Sequence, residues 1–169
     1  MEKKVMSGQP IVYQTLEKAG ISYRKAEHRA IFSREDVTPE EEHLWEGYKV
    51  SKNLFLRNAK GDKHYLVVTT VDKKADLKLL AEEIGATRLS FASQQRLDKY
   101  LKVKPGSISA FAVLNDEERA VTVVFDRDLV GEKSFALHPN ENTATVYIDF
   151  ADVENIVKAH GNRIVYAKL

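Results

Sequence analysis

Cysteine is absent from the 169 residues, which excludes disulfides, thiolate metal sites and a cysteine nucleophile together. Long apolar runs are missing too: nothing approaches the length of a membrane span, and Met1 to Gly8 carries charge without the apolar stretch of a signal peptide. A cytoplasmic protein with no membrane association is the expectation. Charge of one sign is not in excess, since 26 Lys and Arg face 25 Asp and Glu, so any contact with nucleic acid must be local. His28, His43, His64, His138 and His160 are scattered without i, i+4 pairing or a ligand cluster, and neither a metal nor another cofactor is implied. The chain has no G-x-S-x-G elbow, no phosphate loop ending in Gly-Lys-Ser/Thr, no G-x-G-x-x-G and no H-E-x-x-H, which argues against nucleotide hydrolysis and dehydrogenation.

What is present suits one globular domain over residues 1–169, with 43% hydrophobic and 30% charged residues and no internal repeat. Pro10 at a first helical position and Gly20 as a stop bound a short opening helix, followed by a strand over Ile21 to Glu27. The Glu- and Arg-rich stretch from His28 to Tyr48 lacks core periodicity. It reads as a surface excursion with one short helix starting at Thr38-Pro39-Glu40-Glu41. Lys49 to Arg57 and Lys63 to Val71 predict a central hairpin. Leu77, Leu80 and Ile84 predict a helix from Asp76 closed by Gly85; Arg88 to Ala92 predicts a short strand; Ser93 caps a helix burying Leu97, Tyr100 and Leu101. A second hairpin is expected from Phe111 to Leu114 and Ala120 to Phe125, then strands at Phe135 to His138 and Thr143 to Ile148, a helix from Asp149 to Gly161, and a last strand at Arg163 to Ala167. The class is α+β: a curled, largely antiparallel mixed sheet with helices packed outside.

The first candidate site is Ser51-Lys52-Asn53. Lys52 shares a strand face with Leu54 and Leu56, while Asn53 points to the opposite face with Phe55 and Arg57. A lysine in line with core residues must reach solvent at the strand end or find an anion, which a ligand can supply. Two further places lie at ends of regular structure. Gly106-Ser107 after Pro105, continuing through Ile108, Ser109 and Ala110, offers backbone N–H donors of the kind that hold a carbonyl oxygen, against the plainer reading of an ordinary turn. His138 is held extended by Pro139. A cation, an amide, a donor loop and an imidazole are the parts needed to hold an ester and its phosphate without a covalent nucleophile. Arg96, Lys99, Lys102 and Lys104 form a basic run on and after the Ser93 helix, either a solvated face or a docking patch for an RNA backbone.

Taken in order, Lys52-Asn53-Leu54-Phe55-Leu56-Arg57, Tyr65-Leu66-Val67-Val68, Arg88-Leu89-Ser90-Phe91-Ala92-Ser93, Pro105-Gly106-Ser107 and His138-Pro139-Asn140-Glu141-Asn142-Thr143 resemble the YbaK and prolyl-tRNA synthetase editing-domain family. Within it they look most like the free-standing deacylases that clear alanine from proline tRNA, and the resemblance runs from about Ile11 to the C-terminus. It implies hydrolysis of the ester joining a wrong amino acid to tRNA. Lys52 and Asn53 would then hold the terminal adenosine, the Gly106 loop would cradle the aminoacyl carbonyl, and His138 would line the pocket. Ser107, Ile108, Ser109, Ala110, Pro139 and Asn142 complete the implied substrate surround.

The partners this resemblance implies are mischarged proline tRNA and prolyl-tRNA synthetase, met by a monomer. A synthetase built for proline cannot strongly exclude a smaller amino acid, because a methylene is worth only about 1–3 kcal/mol, so a second, smaller site must remove the error. The chain departs from the family at two points. The usual Gly-x-x-x-Pro loop ends here in Ala110, and Leu44 to Val50 lacks the glycine-histidine-threonine approach. Alanine is the expected substrate, serine or another small amino acid an alternative, and a tRNA- or nucleotide-binding module without turnover a second class of function.

Overall fold

The computed structural model describes residues 8–169; the charged segment Met1 to Ser7 lies outside the described residues. Its centre is the expected hairpin. Strand β2 (Lys49–Arg57) pairs antiparallel with β3 (His64–Thr70), from Ser51 opposite Thr70 to Arg57 opposite His64. The connecting loop closes on one side chain: the Asn58 carboxamide oxygen accepts from the backbone N–H groups of Gly61, Asp62 and Lys63 at 2.9, 3.1 and 3.2 Å. Asparagine suits this place because its short amide can satisfy the donors of a tight turn.

Around the hairpin run β1 (Arg24–Glu27), β4 (Ser90–Phe91), β5 (Val121–Asp126), β6 (Phe135–Leu137), β7 (Ala144–Ile148) and β8 (Ile164–Ala167). The sheet order is β1-β7-β6-β2-β3-β5-β8, with β4 also on β2. It is mixed: β1/β7, β6/β7, β2/β3 and β2/β4 are antiparallel, whereas β2/β6, β3/β5 and β5/β8 are parallel. The path is open, ending on β1 and β8.

Helices α1 (Pro10–Lys18), α3 (Gln94–Tyr100) and α4 (Phe150–His160) pack on the face carrying Phe55, Leu66, Val68, Val123 and Phe125. The other face carries Leu56, Val67 and Val124, covered by α2 (Leu77–Ile84) through Leu80 and Ala81. Helix ends fall where local chemistry puts them. Asp76 accepts from Lys78 and Leu79 N–H at the start of α2, and Gly85 stops it in the left-handed region at φ 70°.

Two expectations are corrected. Phe111 to Leu114 is not a strand of a second hairpin but part of a 3₁₀ turn over Ala110–Asn115, and β5 pairs in parallel with β3 and β8 instead. The reason is burial on every side: Ala110 to Leu114 are all in the core, and a short continuous apolar run has no period to separate strand from helix. Second, His28 to Tyr48 is not merely a surface excursion. Two 3₁₀ turns, Arg34–Asp36 and Pro39–Leu44, bring Ile31, Leu44 and Trp45 over Val50 and Ala136 as a third core cluster. These apolar residues are too irregularly spaced to show a period in the sequence.

Candidate active site

The cleft arises from an interruption in strand pairing. On the edge away from β3, strand β2 pairs with β6 only at Lys49 and Val50 and with β4 only at Leu56 and Arg57. Val50 turns its carbonyl to β3, accepting from Val71 N–H at 3.0 Å, and Phe55 turns its carbonyl the other way, accepting from Ala92 N–H at 2.9 Å. By alternation the backbone N–H and C=O of Asn53 point into the gap between β6 and β4. A cavity of about 370 Å³ fills it. It is lined by Ser51, Lys52, Asn53 and Leu54 of β2, by Pro105, Gly106, Ile108 and His138, and by the turn from Ile31 to Glu35 with Trp45, whose Phe32 meets Gly106.

Lys52 does not reach freely into solvent, and among the described residues it meets no carboxylate. Its half-buried ammonium donates to the backbone carbonyl of Lys73 at 3.0 Å. A neutral carbonyl satisfies one of its three donors and leaves the charge uncompensated. Lys73 uses its own ammonium elsewhere, on Asp126 at 2.7 Å and Asp128 at 2.6 Å. Although partial burial opposes its charge, these carboxylates raise the Lys73 pKa above the usual lysine value. Asp126 is fully buried and also accepts from the Thr69 hydroxyl at 2.6 Å. Asn53 accepts from the Ser51 hydroxyl at 3.0 Å, which leaves the carboxamide N–H donors available to a ligand.

Hydrogen bonds brace the Gly106 loop, which lacks the family proline. Ser109, wholly buried, donates to the Asn140 side-chain oxygen at 2.9 Å and accepts from Phe111 N–H at 3.1 Å. Asn140 sits at φ 64° and donates to Phe111 carbonyl at 3.2 Å and to the Gln9 side chain at 3.1 Å. Ser107 accepts from Asn142 N–H at 3.1 Å. Hydrogen bonds thus hold what a ring would otherwise restrict. Of the expected site residues, Lys52, Asn53, Gly106, Ile108 and His138 line one cavity. Ser107, Ser109, Ala110, Pro139 and Asn142 do not; the buried Ser107, Ser109 and Ala110 brace the loop from behind. Ser107 and Asn142 border a second depression together with Lys102 and Lys104.

His138 has a defined tautomer. Its Nδ1 lies 3.0 Å from the Ala144 carbonyl, an acceptor only, so the proton is on Nδ1 and Nε2 is left as an acceptor. Burial pushes the imidazole pKa below the usual histidine value, and His28, 6.5 Å away between ring centres, adds to the fall. The ring is therefore neutral at physiological pH.

The basic run is partly engaged. Arg96 donates to Gly61 carbonyl at 2.8 Å and lies 2.9 Å from His64 Nε2, and Lys99 sits over the Tyr100 ring at 5.2 Å. Sequence reasoning missed Phe32, Arg34 and Trp45, which reach the cleft from the turn opposite β2. Their signal was two aromatic residues and one basic residue within a stretch rich in Glu and Arg. Among the described residues no helix is long and apolar enough to cross a membrane.

The pattern of the aminoacyl-tRNA editing domain matches residues 36–156. The chain belongs to this family, and an editing domain of this kind makes it an aminoacyl-tRNA hydrolase. Within it the chain is 48% identical to the prolyl-tRNA editing protein ProX of Acetoanaerobium sticklandii, over 93% of this chain and 94% of that one. It is 34% identical to the prolyl-tRNA synthetase associated domain-containing protein 1 of Danio rerio, over 82% of this chain and 74% of that one. A solved structure provisionally described as a trans-editing enzyme for prolyl-tRNA synthetase shares the fold, with a TM-score of 0.65 at 16% identity, covering 95% of this chain and 98% of that one.

Proposed function

We propose that this protein removes alanine from mischarged proline tRNA by hydrolysing the ester at the acceptor end. The observation that carries this reading is the unpaired stretch of β2, which sets Lys52 and Asn53 across one cavity from Gly106 and His138. Lys52 and the Asn53 amide hold the terminal nucleotide. The Gly106 loop directs donors at the ester carbonyl oxygen, where negative charge develops as water adds to the carbon. The bond to the ribose oxygen then breaks, that oxygen takes a proton, and free amino acid leaves. His138 presents Nε2 as an acceptor that orients the substrate or the water. An ester this reactive needs positioning more than a protein nucleophile, in keeping with a cleft that offers none of the familiar triads. Val50, Val71 and Ile108 give the cavity an apolar wall suited to a small side chain. Kinship to proteins named for prolyl-tRNA editing supports proline tRNA as the carrier and prolyl-tRNA synthetase as a partner.

The test is release of amino acid from alanyl-, seryl- and prolyl-tRNA carrying the proline anticodon, by wild type and Lys52→Ala. Alanine release that is lost in the variant, with the proline ester spared, supports the reading. Binding of tRNA without release from any ester overturns it in favour of a binding module.

A further inference from the structure

Phe32 is 70% exposed, yet it is not loosely held. Its ring packs on Gly106 so closely that a Cβ there would come within 2.7 Å of Phe32 Cδ1. On one side, Ile31 is buried in the core and its N–H donates to Asn142 carbonyl at 3.1 Å. On the other, Phe32 N–H donates to Asp36 Oδ2 at 3.1 Å. Arg29 holds the same Asp36 carboxylate at 3.3 Å and Glu41 at 2.7 Å, closing the turn. The other large exposed apolar side chains, Leu79, Phe91 and Val130, line no part of the cleft. Beside Phe32 on the rim stands Arg34, its guanidinium 5.4 Å above the Trp45 ring and without a carboxylate partner among the described residues. Lys52 supplies a second positive charge across the floor. Phe32 and Arg34 precede the span matched by the family, so its pattern does not account for them.

We infer that Phe32 is the stacking platform for the terminal base of the tRNA acceptor end, seated on Gly106 at the rim of the cleft. This rests on the function proposed above. An aromatic face that is rigid, wet and flanked by cations suits a base joined to phosphate. An amino-acid side chain is better served by the enclosed apolar wall below. Stacking is indifferent to base identity, and every mature tRNA ends in the same adenosine, so the platform fixes position rather than selecting sequence. Pre-ordering by the Arg29 turn lowers the cost of binding, because the ring need not be immobilised on arrival. Gly106 then has two duties: its lack of a side chain seats the ring, and its loop faces the ester.

The experiment uses the full chain and a non-hydrolysable probe, adenosine 5′-monophosphate bearing alanine through a 3′-amide, beside the same probe lacking the base. Calorimetry gives both dissociation constants. Phe32→Ala is expected to weaken the complete probe about five-fold or more, Phe32→Tyr to retain wild-type affinity, and the baseless probe to bind wild type and Phe32→Ala alike. The inference is overturned if Phe32→Ala binds the complete probe as wild type does, if it weakens both probes equally, or if wild type binds neither. Turnover is not needed for this readout. A wild type that shows the base-dependent pattern yet releases no amino acid from any tRNA keeps the platform and overturns the deacylase; unimpaired alanine release with no effect of Phe32→Ala on the complete probe does the reverse.

Discussion

The Lys52 ammonium donates to the backbone carbonyl of Lys73, 3.0 Å away, while the side chain of Lys73 turns the opposite way to Asp126 at 2.7 Å. Two lysines thus meet without sharing an acid: one neutralises a buried carboxylate, and the other keeps its charge for the cleft. Because a main-chain oxygen holds Lys52, substitution of Lys73 leaves that partner in place. Lys73→Met is expected to cost stability, about 3 kcal/mol, by stranding the buried Asp126 carboxylate. It should spare most of the deacylation that Lys52→Ala removes. Urea unfolding and alanyl-tRNA hydrolysis at a temperature where both variants are folded check this; equal loss of activity in the two variants would refute it.

Gly106→Ala tests the seat of the aromatic ring. The added methyl meets Phe32 Cδ1 at 2.7 Å and Asn142 Nδ2 at 3.3 Å, and the exposed ring is the part free to move. Stability should change by no more than about 1 kcal/mol, because the displaced group is on the surface. Deacylation efficiency should fall. Since both changes remove the same contact, Gly106→Ala and Phe32→Ala should be less than additive in a double-mutant cycle. Strict additivity would show the two residues to be independent.

Asn140→Ala is expected to be among the more damaging substitutions away from the cleft floor. It removes the acceptor for the Ser109 hydroxyl and the donor to Phe111 carbonyl, and places a Cβ-bearing residue with no local hydrogen bond at φ 64°. Buried partners left unsatisfied and left-handed strain together suggest a loss of about 3 kcal/mol. Thermal and urea denaturation measure it, and a change under about 1 kcal/mol would mean that the loop has other support.

His138 should titrate below the ordinary histidine range, because burial and the neighbouring His28 disfavour the imidazolium. The unfolded chain then takes up the proton first as pH falls. The stability contributed by neutral His138 is complete above about pH 6.5 and declines as pH drops from there towards the lower folded value. Imidazole NMR should show an Nδ1–H tautomer and a midpoint below 6.5. The ratio of wild-type to His138→Asn activity should stay level down through that pH. An Nε2–H tautomer or a raised midpoint would contradict the arrangement.

How far the sequence could be read depended on whether an element owed its form to near neighbours. The hairpin of β2 and β3 was legible because both strands alternate and Asn58 to Asp62 has turn chemistry. The limits of α2 and α4 were legible because Asp76, Gly85, Asp149 and Gly161 act on their own backbone surroundings. Phe111 to Leu114 was not legible. Its environment is apolar on all sides, and only the Ser109 cap and the elements packed around it select a 3₁₀ turn. In the cleft, Lys52, Asn53, Gly106 and His138 stood out as polar or flexible groups at ends of regular structure. Phe32, Arg34 and Trp45 did not, because a turn without period hid them.

By itself the sequence determined the alternation that puts Lys52 and Asn53 on opposite faces of one strand, the helix ends, and the ordered motifs that mark an editing domain. Only the tertiary structure decided that β2 leaves β6 before it meets β4, opening a cleft at Asn53. It also decided that the Lys52 ammonium ends on a carbonyl rather than an acid, and that Phe32 rests on Gly106. The reason is physical: periodicity and capping act over a few neighbouring residues. A gap in a sheet or a ring on a glycine depends on segments far apart in the chain, whose meeting is set by packing of the whole core.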